Sequence, residues 1–284
     1  MSETKNFLVF GATGKQGSAA VQWLSKSDTS ASIYAVTRDT SSAKAQSLSS
    51  LPNVKLVQGD SSEPEKVFSQ VQDKIDGLFF LSVGFDSQAQ IKEGKEVVDL
   101  SVQYGIKHFV LSSTDYNGYR NKDTDISSIE AKKTIEDYLT SSSLNYTIIR
   151  PVGFLENLYF PGYADAIPHF WPAQLLKSGI SSSDIGRAAS EILIDPTPTK
   201  FNNQVIGLSG HEGKPEDWMK VWQQVNGEDL RNREKKMGNM PEERMKLLKF
   251  IMFNENDARV AETKALFPWV TDLKTFLESG KKAQ

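Results

Sequence analysis

At 284 residues with 38% hydrophobic side chains, the chain is long enough for one large α/β domain, or for a domain with a smaller lobe. Its 33 basic against 36 acidic residues give a formal charge of -3, which excludes the strongly basic face of a nucleic-acid binder. There is no cysteine, which excludes disulfides, thiolate nucleophiles and cysteine zinc sites, and no apolar run near the ~20 residues of a membrane helix.

The opening MSETKNF passes straight into an apolar run without a secretory signal, so a reducing compartment, cytoplasm or nucleus, is expected. Phe7, Leu8, Val9 and Phe10 lack polar alternation, the pattern of a parallel strand buried on both faces. The turn Gly11-Ala12-Thr13-Gly14-Lys15-Gln16-Gly17 follows, and Ala19, Ala20, Val21 and Leu24 continue as one side of a helix. Three glycines so spaced also make a plain turn. Their place after a strand and before a helix is what points to a dinucleotide, because backbone N–H groups there approach a pyrophosphate at the positive helix end.

A second strand, Ile33 to Val36, ends in Thr37, Arg38 and Asp39. An acid at this position accepts from the 2′-hydroxyl of NAD, whereas a cation accommodates the 2′-phosphate of NADP. Arg38, with Lys44 beyond it, favours NADP(H), and Asp39 argues the other way. The third strand, Val54 to Val57, closes on Gly59 and Asp60. Asp60 is suited to accept from an adenine amino group, or to cap the next helix with Ser61 and Ser62. The fourth strand, Gly77 to Leu81, delivers Ser82, Val83 and Gly84 to the cofactor side. A helix over Ser87 to Tyr104 is expected to turn Ile91, Val98 and Val102 inward and to leave Lys95 solvated. Lys92 is solvated too, unless it points back at the nicotinamide end.

The fifth strand, His108 to Leu111, ends in Ser112, Ser113 and Thr114, and the polar loop Asp115 to Asp125 is a candidate mobile lid. A helix from Ile126 to Leu139 carries Ala131, Ile135, Tyr138 and Leu139 at core spacing, before a sixth strand, Asn145 to Arg150. This alternation predicts a Rossmann-type, doubly wound parallel α/β sheet over residues 1–150, with 182–210 returning to it. Residues 151–181 and 211–284 form a smaller, mostly helical lobe. The aromatic, proline-broken run Gly153 to Trp171 is either an apolar pocket wall or packing between lobes. Arg231, Arg233, Lys235 and Lys236 are diluted by acids and read as a solvated face. His108, His169 and His211 are scattered, so no metal site is expected.

The glycine turn, Arg38, Asp60, Lys132, Arg150-Pro151, Glu156-Asn157-Leu158 and Ser181 to Ala189 together resemble the NmrA-like family, atypical members of the extended short-chain dehydrogenase/reductase superfamily. The resemblance implies an NADP(H) site lined by Gly11, Ala12, Thr13, Gly14, Lys15, Gln16, Gly17, Arg38, Asp60, Ser61, Ser82, Val83, Gly84, Lys92, Lys132, Phe154 and Asn157.

The sequence departs from the superfamily at Ser128. Short-chain reductases place a Tyr one helical turn before the Lys, and that phenol protonates the developing alkoxide. Ser128 is too weak an acid for the task, and Ser113 or Thr114 can only hold a substrate oxygen. Tyr116 or Tyr119 would have to swing in from the loop. Relatives lacking the Tyr resemble NADP(H) sensors that regulate a protein partner. A branch similar to the phenylcoumaran and isoflavone reductases works with the Lys alone. Two functions are therefore expected: a cofactor-sensing regulator, or an NADPH-dependent reductase of small apolar carbonyl, quinone or enone compounds using Lys132. In either, the chain is a monomer or homodimer that touches neither nucleic acid nor membrane.

Overall fold

The structure, a computed structural model, describes residues 4–84, 86–160, 162–195, 200–233 and 242–282. The chain divides into two compact units. The first comprises Met1–Thr114, Ser127–Ile149 and Ser183–Ile206; the second comprises Asp115–Ile126, Arg150–Ser182 and Gly207–Gln284.

In the first unit, β1 (Asn6–Val9) leads into α1 (Lys15–Ser27), β2 (Ser32–Thr37), α2 (Ala43–Ser49), β3 (Val54–Gln58), α3 (Pro64–Ser69) and β4 (Gly77–Leu81). Then follow α4 (Ser87–Gln103), β5 (His108–Ser112), α5 (Ser127–Thr140) and β6 (Tyr146–Pro151). β1 pairs in parallel with both β2 and β4, and β2–β3, β4–β5 and β5–β6 are parallel too. The chain later adds α7 (Ser182–Ile194) and β8 (Gln204–Leu208); with β8 at the far edge, the sheet order is β3-β2-β1-β4-β5-β6-β8. The expected doubly wound sheet is present, and strand order reverses between β1 and β4, where such sheets open a ligand crevice.

Phe7, Phe10, Phe79, Phe80 and Phe109 are wholly buried, and each contributes about 1.5–3 kcal/mol relative to exposure. Phe80 meets Phe10 and Phe109 edge-on, at 5.7 and 6.2 Å.

The buried face of α4 differs from the expected one. It carries Gln90, Gly94, Val97, Val98 and Ser101, while Val102 is exposed and Ile91 only half-buried. Hydrophobic spacing misplaces this face because Gln90, Gly94 and Ser101 read as polar or neutral. Gly94 is required there: a Cβ would lie 2.7 Å from Ile135 Cγ1 of α5. On α5 itself, Ala131, Ile135 and Leu139 are buried as expected, and Tyr138 sits half-buried at the rim, its hydroxyl donating to Asp99 at 2.7 Å.

The second unit contains the 3₁₀ turn Leu155–Tyr159, α6 (Ile167–Phe170), β7 (Lys177–Gly179) paired antiparallel with β9 (His211–Gly213), and α8 (Pro215–Asn226). Helices α9 (Glu242–Phe253), α10 (Val260–Leu266) and α11 (Leu273–Lys282) complete it. Leu155, Leu158, Ile167, Trp171, Trp218 and Leu277 form its core. The aromatic run is thus largely core packing of this unit, with Tyr159 and Phe160 exposed. Arg231 pairs with Asp229, and Arg233 with Glu228 and Asp165. Lys235 and Lys236 lie outside the described residues.

Candidate functional site

A cavity of about 780 Å³ opens at the carboxyl ends of β1 to β4. Phe10, Gly11, Thr13 and Gly14 supply its floor after β1, and Arg38, Asp39, Ser42 and Lys44 its side after β2. Gly59 to Ser62 enter from β3, Leu81, Val83 and Gly84 from β4, and Glu93 from α4.

The floor is shaped by backbone requirements. Gly11 has φ +63, a conformation that disfavours any side chain. A Cβ on Gly17 would lie 2.2 Å from the Gly11 carbonyl oxygen, so α1 can start this close to the turn only with glycine there. Gly14 occupies the N-cap of α1, no side chain caps that end, and no acid sits in the first turn. The positive end of the helix is therefore left for an external anion.

At the β2 end the structure separates two adjacent charges. Asp39 Oδ1 accepts from the Ser41 amide at 2.9 Å and the Ser41 hydroxyl at 2.6 Å, and these bonds hold its carboxyl below the ordinary range. Its backbone carbonyl accepts from Ser42, the N-cap of α2. Asp39 thus has a turn-forming role, and Arg38 is exposed at the cavity beside Lys44. Asp60 Oδ1 accepts from the Ser62 hydroxyl at 2.5 Å and the Ser62 amide at 2.9 Å. Those bonds, with the Arg38 guanidinium adding attraction, hold its carboxyl low. Both expected roles of Asp60, turn and cavity wall, are compatible with this placement.

At the β4 end, Ser82 is buried and bonds Lys132, whose Nζ donates to the Ser82 hydroxyl at 3.2 Å and carbonyl at 3.3 Å. Desolvation pushes the Lys132 ammonium down to about 8, with the Glu136 carboxylate opposing. Gln90, 2% exposed, accepts from the Ser82 hydroxyl at 3.3 Å and donates to the Gly84 carbonyl at 3.0 Å. Gln16 leaves the glycine turn to accept from the Ser112 hydroxyl at 2.6 Å, tying that turn to the end of β5. Ser113 is buried next to it, Thr114 half-buried, and Ser128 half-buried one turn before Lys132 on α5.

The structure therefore brings Gly11, Thr13, Gly14, Arg38, Asp60, Ser61, Val83 and Gly84 into one cavity wall. Ala12, Lys15, Gln16, Gly17, Ser82 and Lys132 lie around it in the same unit, outside the lining. Lys92 does not join them: its side chain is 74% exposed and 3.8 Å from Glu96, because the i, i+4 pair sets it on the outer face of α4. Gln90 and Glu93 were missed by the sequence reading. The signal for them is the solvated Lys92–Glu96 face of α4, which leaves Gln90 to meet the β4 loop and Glu93 the β3 loop.

Phe154 and Asn157 belong to the second unit. Phe154 bridges to Ile180, and Asn157 hydrogen-bonds the Tyr163 phenol, which burial pushes up to about 12. Glu156 Oε1 accepts from the amide and hydroxyl of Ser182, at 2.9 and 2.5 Å.

The expected lid is anchored at its start. The buried Asp115 carboxylate accepts from the amides of Asn117, Asp257 and Ala258 at 2.9, 3.0 and 2.8 Å, which groups the loop with the second unit. Tyr116 is wholly buried, its ring under the Arg150 and Arg120 guanidinium groups at 4.9 and 5.6 Å. Tyr119 stacks edge-on against Phe250 at 5.2 Å. Neither phenol is placed to swing freely. Among the described residues, no group of three or more His, Asp or Glu side chains is placed to hold a metal ion, and no helix is long and apolar enough to cross a membrane.

A model of the NmrA-like family matches residues 3–257. The chain belongs to the NmrA-like family. An NmrA-like family domain-containing oxidoreductase from Penicillium ochrochloron is 28% identical over 235 residues, 72% of this chain and 69% of that protein. The solved structure of NmrA, a negative transcriptional regulator, in complex with NADP has a TM-score of 0.79 at 18% identity, covering 98% of this chain and 95% of that one. The triphenylmethane reductase of Citrobacter sp. complexed with NADP(H) has a TM-score of 0.77 at 17% identity, covering 99% and 100%. At these identities the two structures establish the shared fold. The family holds both a transcriptional regulator and proteins named as oxidoreductases, so membership alone does not choose between the two expected functions.

Proposed function

We propose that this NmrA-like protein binds NADP(H) in the cavity of the first unit and acts as a cofactor sensor. The observation carrying the reading is the division of charge at the cavity: an α1 N-terminus without a side-chain cap, Arg38 and Lys44 at the β2 end, and Asp39 tied into its own turn. The glycine turn fits a diphosphate, since added Cβ atoms at Gly14 and Gly17 would crowd the Gly11 carbonyl. Arg38, with Lys44, would hold the 2′-phosphate, and Asp60 and Ser61 would face the base. Lys132, held by Ser82, would serve the nicotinamide ribose. A bound NADPH supplies a hydride. The chain places Ser128 where short-chain reductases carry the acidic phenol, and it keeps Tyr116 locked beneath two guanidinium groups.

A second reading, reduction of small apolar carbonyl, quinone or enone compounds, is favoured by the Lys132 ammonium. A pKa near 8 makes it a competent proton donor close to neutral pH.

Calorimetric titration of NADPH and NADH tests the common ground. NADPH is expected to bind more tightly, and Arg38→Ala to remove that preference; absence of binding by both nucleotides refutes the proposal. Incubation with NADPH and a quinone and enone series separates the two roles. No oxidation of NADPH supports the sensor, and turnover abolished by Lys132→Ala establishes the reductase.

A further inference from the structure

Among the described residues three carboxylates line the cavity, and their hydrogen bonds distinguish them. Asp39 and Asp60 each commit an oxygen to a serine of their own turn. Glu93 reaches the wall from a different element, α4, and its Oε2 accepts from the Ser61 hydroxyl of the β3 loop at 2.5 Å. Among the described residues Glu93 Oε1 has no hydrogen-bond partner and the carboxylate has no cation in salt-bridge contact, since its neighbour Lys92 faces Glu96. The Ser61 proton is used on Glu93, so the hydroxyl oxygen offers only lone pairs. This side of the cavity therefore presents acceptors: Glu93 Oε1, Ser61 Oγ and the second oxygen of Asp60. The cations Arg38 and Lys44 stand at the β2 end.

We infer that Glu93 is a specificity residue for the nucleotide base, accepting a hydrogen bond from an exocyclic amino group and rejecting a keto group at that position. The inference rests on the proposed NADP(H) binding and deepens it. A nucleotide whose 2′-phosphate meets Arg38 carries its base on the same ribose, which places the base beside the β3 and β4 ends of the cavity. Adenine offers two N–H donors from its 6-amino group, complementary to this acceptor wall. Hypoxanthine offers a 6-keto oxygen in their place, which loses the bond and opposes a carboxylate. Ser61 acts as the positioning residue that holds Glu93 across the gap between the β3 loop and α4.

The test titrates each protein with NADPH and with its hypoxanthine analogue, deamino-NADPH. The wild-type protein is expected to prefer NADPH by about tenfold or more, the scale of a hydrogen bond to a charged acceptor. Glu93→Ala is expected to weaken NADPH by the same factor and to leave the analogue unchanged or tighter. Both nucleotides are read in the same variant, so a general loss of folding weakens both and leaves the ratio intact. Equal affinity of wild-type protein for the two, or a preference that survives Glu93→Ala, overturns the assignment of Glu93 while leaving NADP(H) binding standing. Uptake of neither by wild-type protein overturns both readings together.

Discussion

Replacing Gly17 by alanine probes the physical basis of the cradle more sharply than removal of any side chain. The new Cβ would stand 2.2 Å from the Gly11 carbonyl oxygen and 2.6 Å from its carbon, where 3.4 Å is ordinary contact. The obstruction is backbone, so the turn and the start of α1 must separate by roughly 1 Å, the scale of misplacement that disables a positioned site. Overpacking of this kind costs about 1–3 kcal/mol, and the better helix propensity of alanine returns about 1 kcal/mol. The net loss of stability is thus about 0–2 kcal/mol, a fall of a few degrees in Tm for a chain of this size. Nucleotide binding suffers more, because the displaced amides are the ones expected to meet the diphosphate. Loss of one charge-assisted bond, at about 1.5–3 kcal/mol, corresponds to ~10- to 100-fold in affinity. Thermal melts with and without NADPH, together with calorimetry, read both quantities. The ligand-free Tm should fall slightly and the NADPH-induced rise should shrink at a given NADPH concentration. Gly14→Ala, whose Cβ would meet the same oxygen at 3.1 Å, should be milder in both. Wild-type affinity in Gly17→Ala, or a larger defect in Gly14→Ala, would refute the steric argument.

Three further variants address the polar groups around the cradle and two desolvated lysines. Gln90→Leu removes the donor to the Gly84 carbonyl and the acceptor for Ser82. It should weaken NADPH several-fold, at about 0.5–1.5 kcal/mol per bond, and increase amide exchange at Val83 and Gly84; unchanged exchange there would contradict a positioning role. Lys132 and Lys177 are each pushed by burial from 10.5 to about 8. Above pH 8 the unfolded chain therefore binds more protons than the folded one, and stability should rise with pH until the tyrosines titrate near 10. Urea unfolding at stepped pH, with Lys132→Met and Lys177→Met, checks the sign: each variant should flatten the rise, and a fall in wild-type stability over that window would reverse the account.

The fold was legible because its signals are local. Four apolar residues before a glycine turn, repeated strand–helix alternation and a cation after β2 each lie within a few positions of one another. Glycine in particular declares a backbone requirement directly: Gly11 needs its positive φ, and Gly17 stands where no Cβ fits. The inward face of α4 was misread for the converse reason. Gln90 and Ser101 are buried because Gln90 bonds Ser82 and Gly84, and Ser101 the Val97 carbonyl, and hydrophobic spacing takes no account of a satisfied polar group.

Asp39 shows how a neighbouring pair of charges resolves only in three dimensions. In sequence, Arg38 and Asp39 argue for opposite cofactors with equal proximity. The structure ties Asp39 Oδ1 to Ser41 and leaves the Arg38 guanidinium exposed at the cavity beside Lys44. The bonds that organise the site span far longer separations: Lys132 to Ser82 across 50 residues, Gln16 to Ser112 across 96. No window of sequence contains both partners, yet these bonds connect the glycine turn to β5 and the lysine to the β4 loop. If a diphosphate orders the glycine turn as proposed, the Ser112 hydroxyl bond to Gln16 is the route by which that change would reach the end of β5, where Ser113 and Thr114 follow. Such a coupling would serve the proposed sensor role, provided the ligand binds two arrangements of the turn with different affinity.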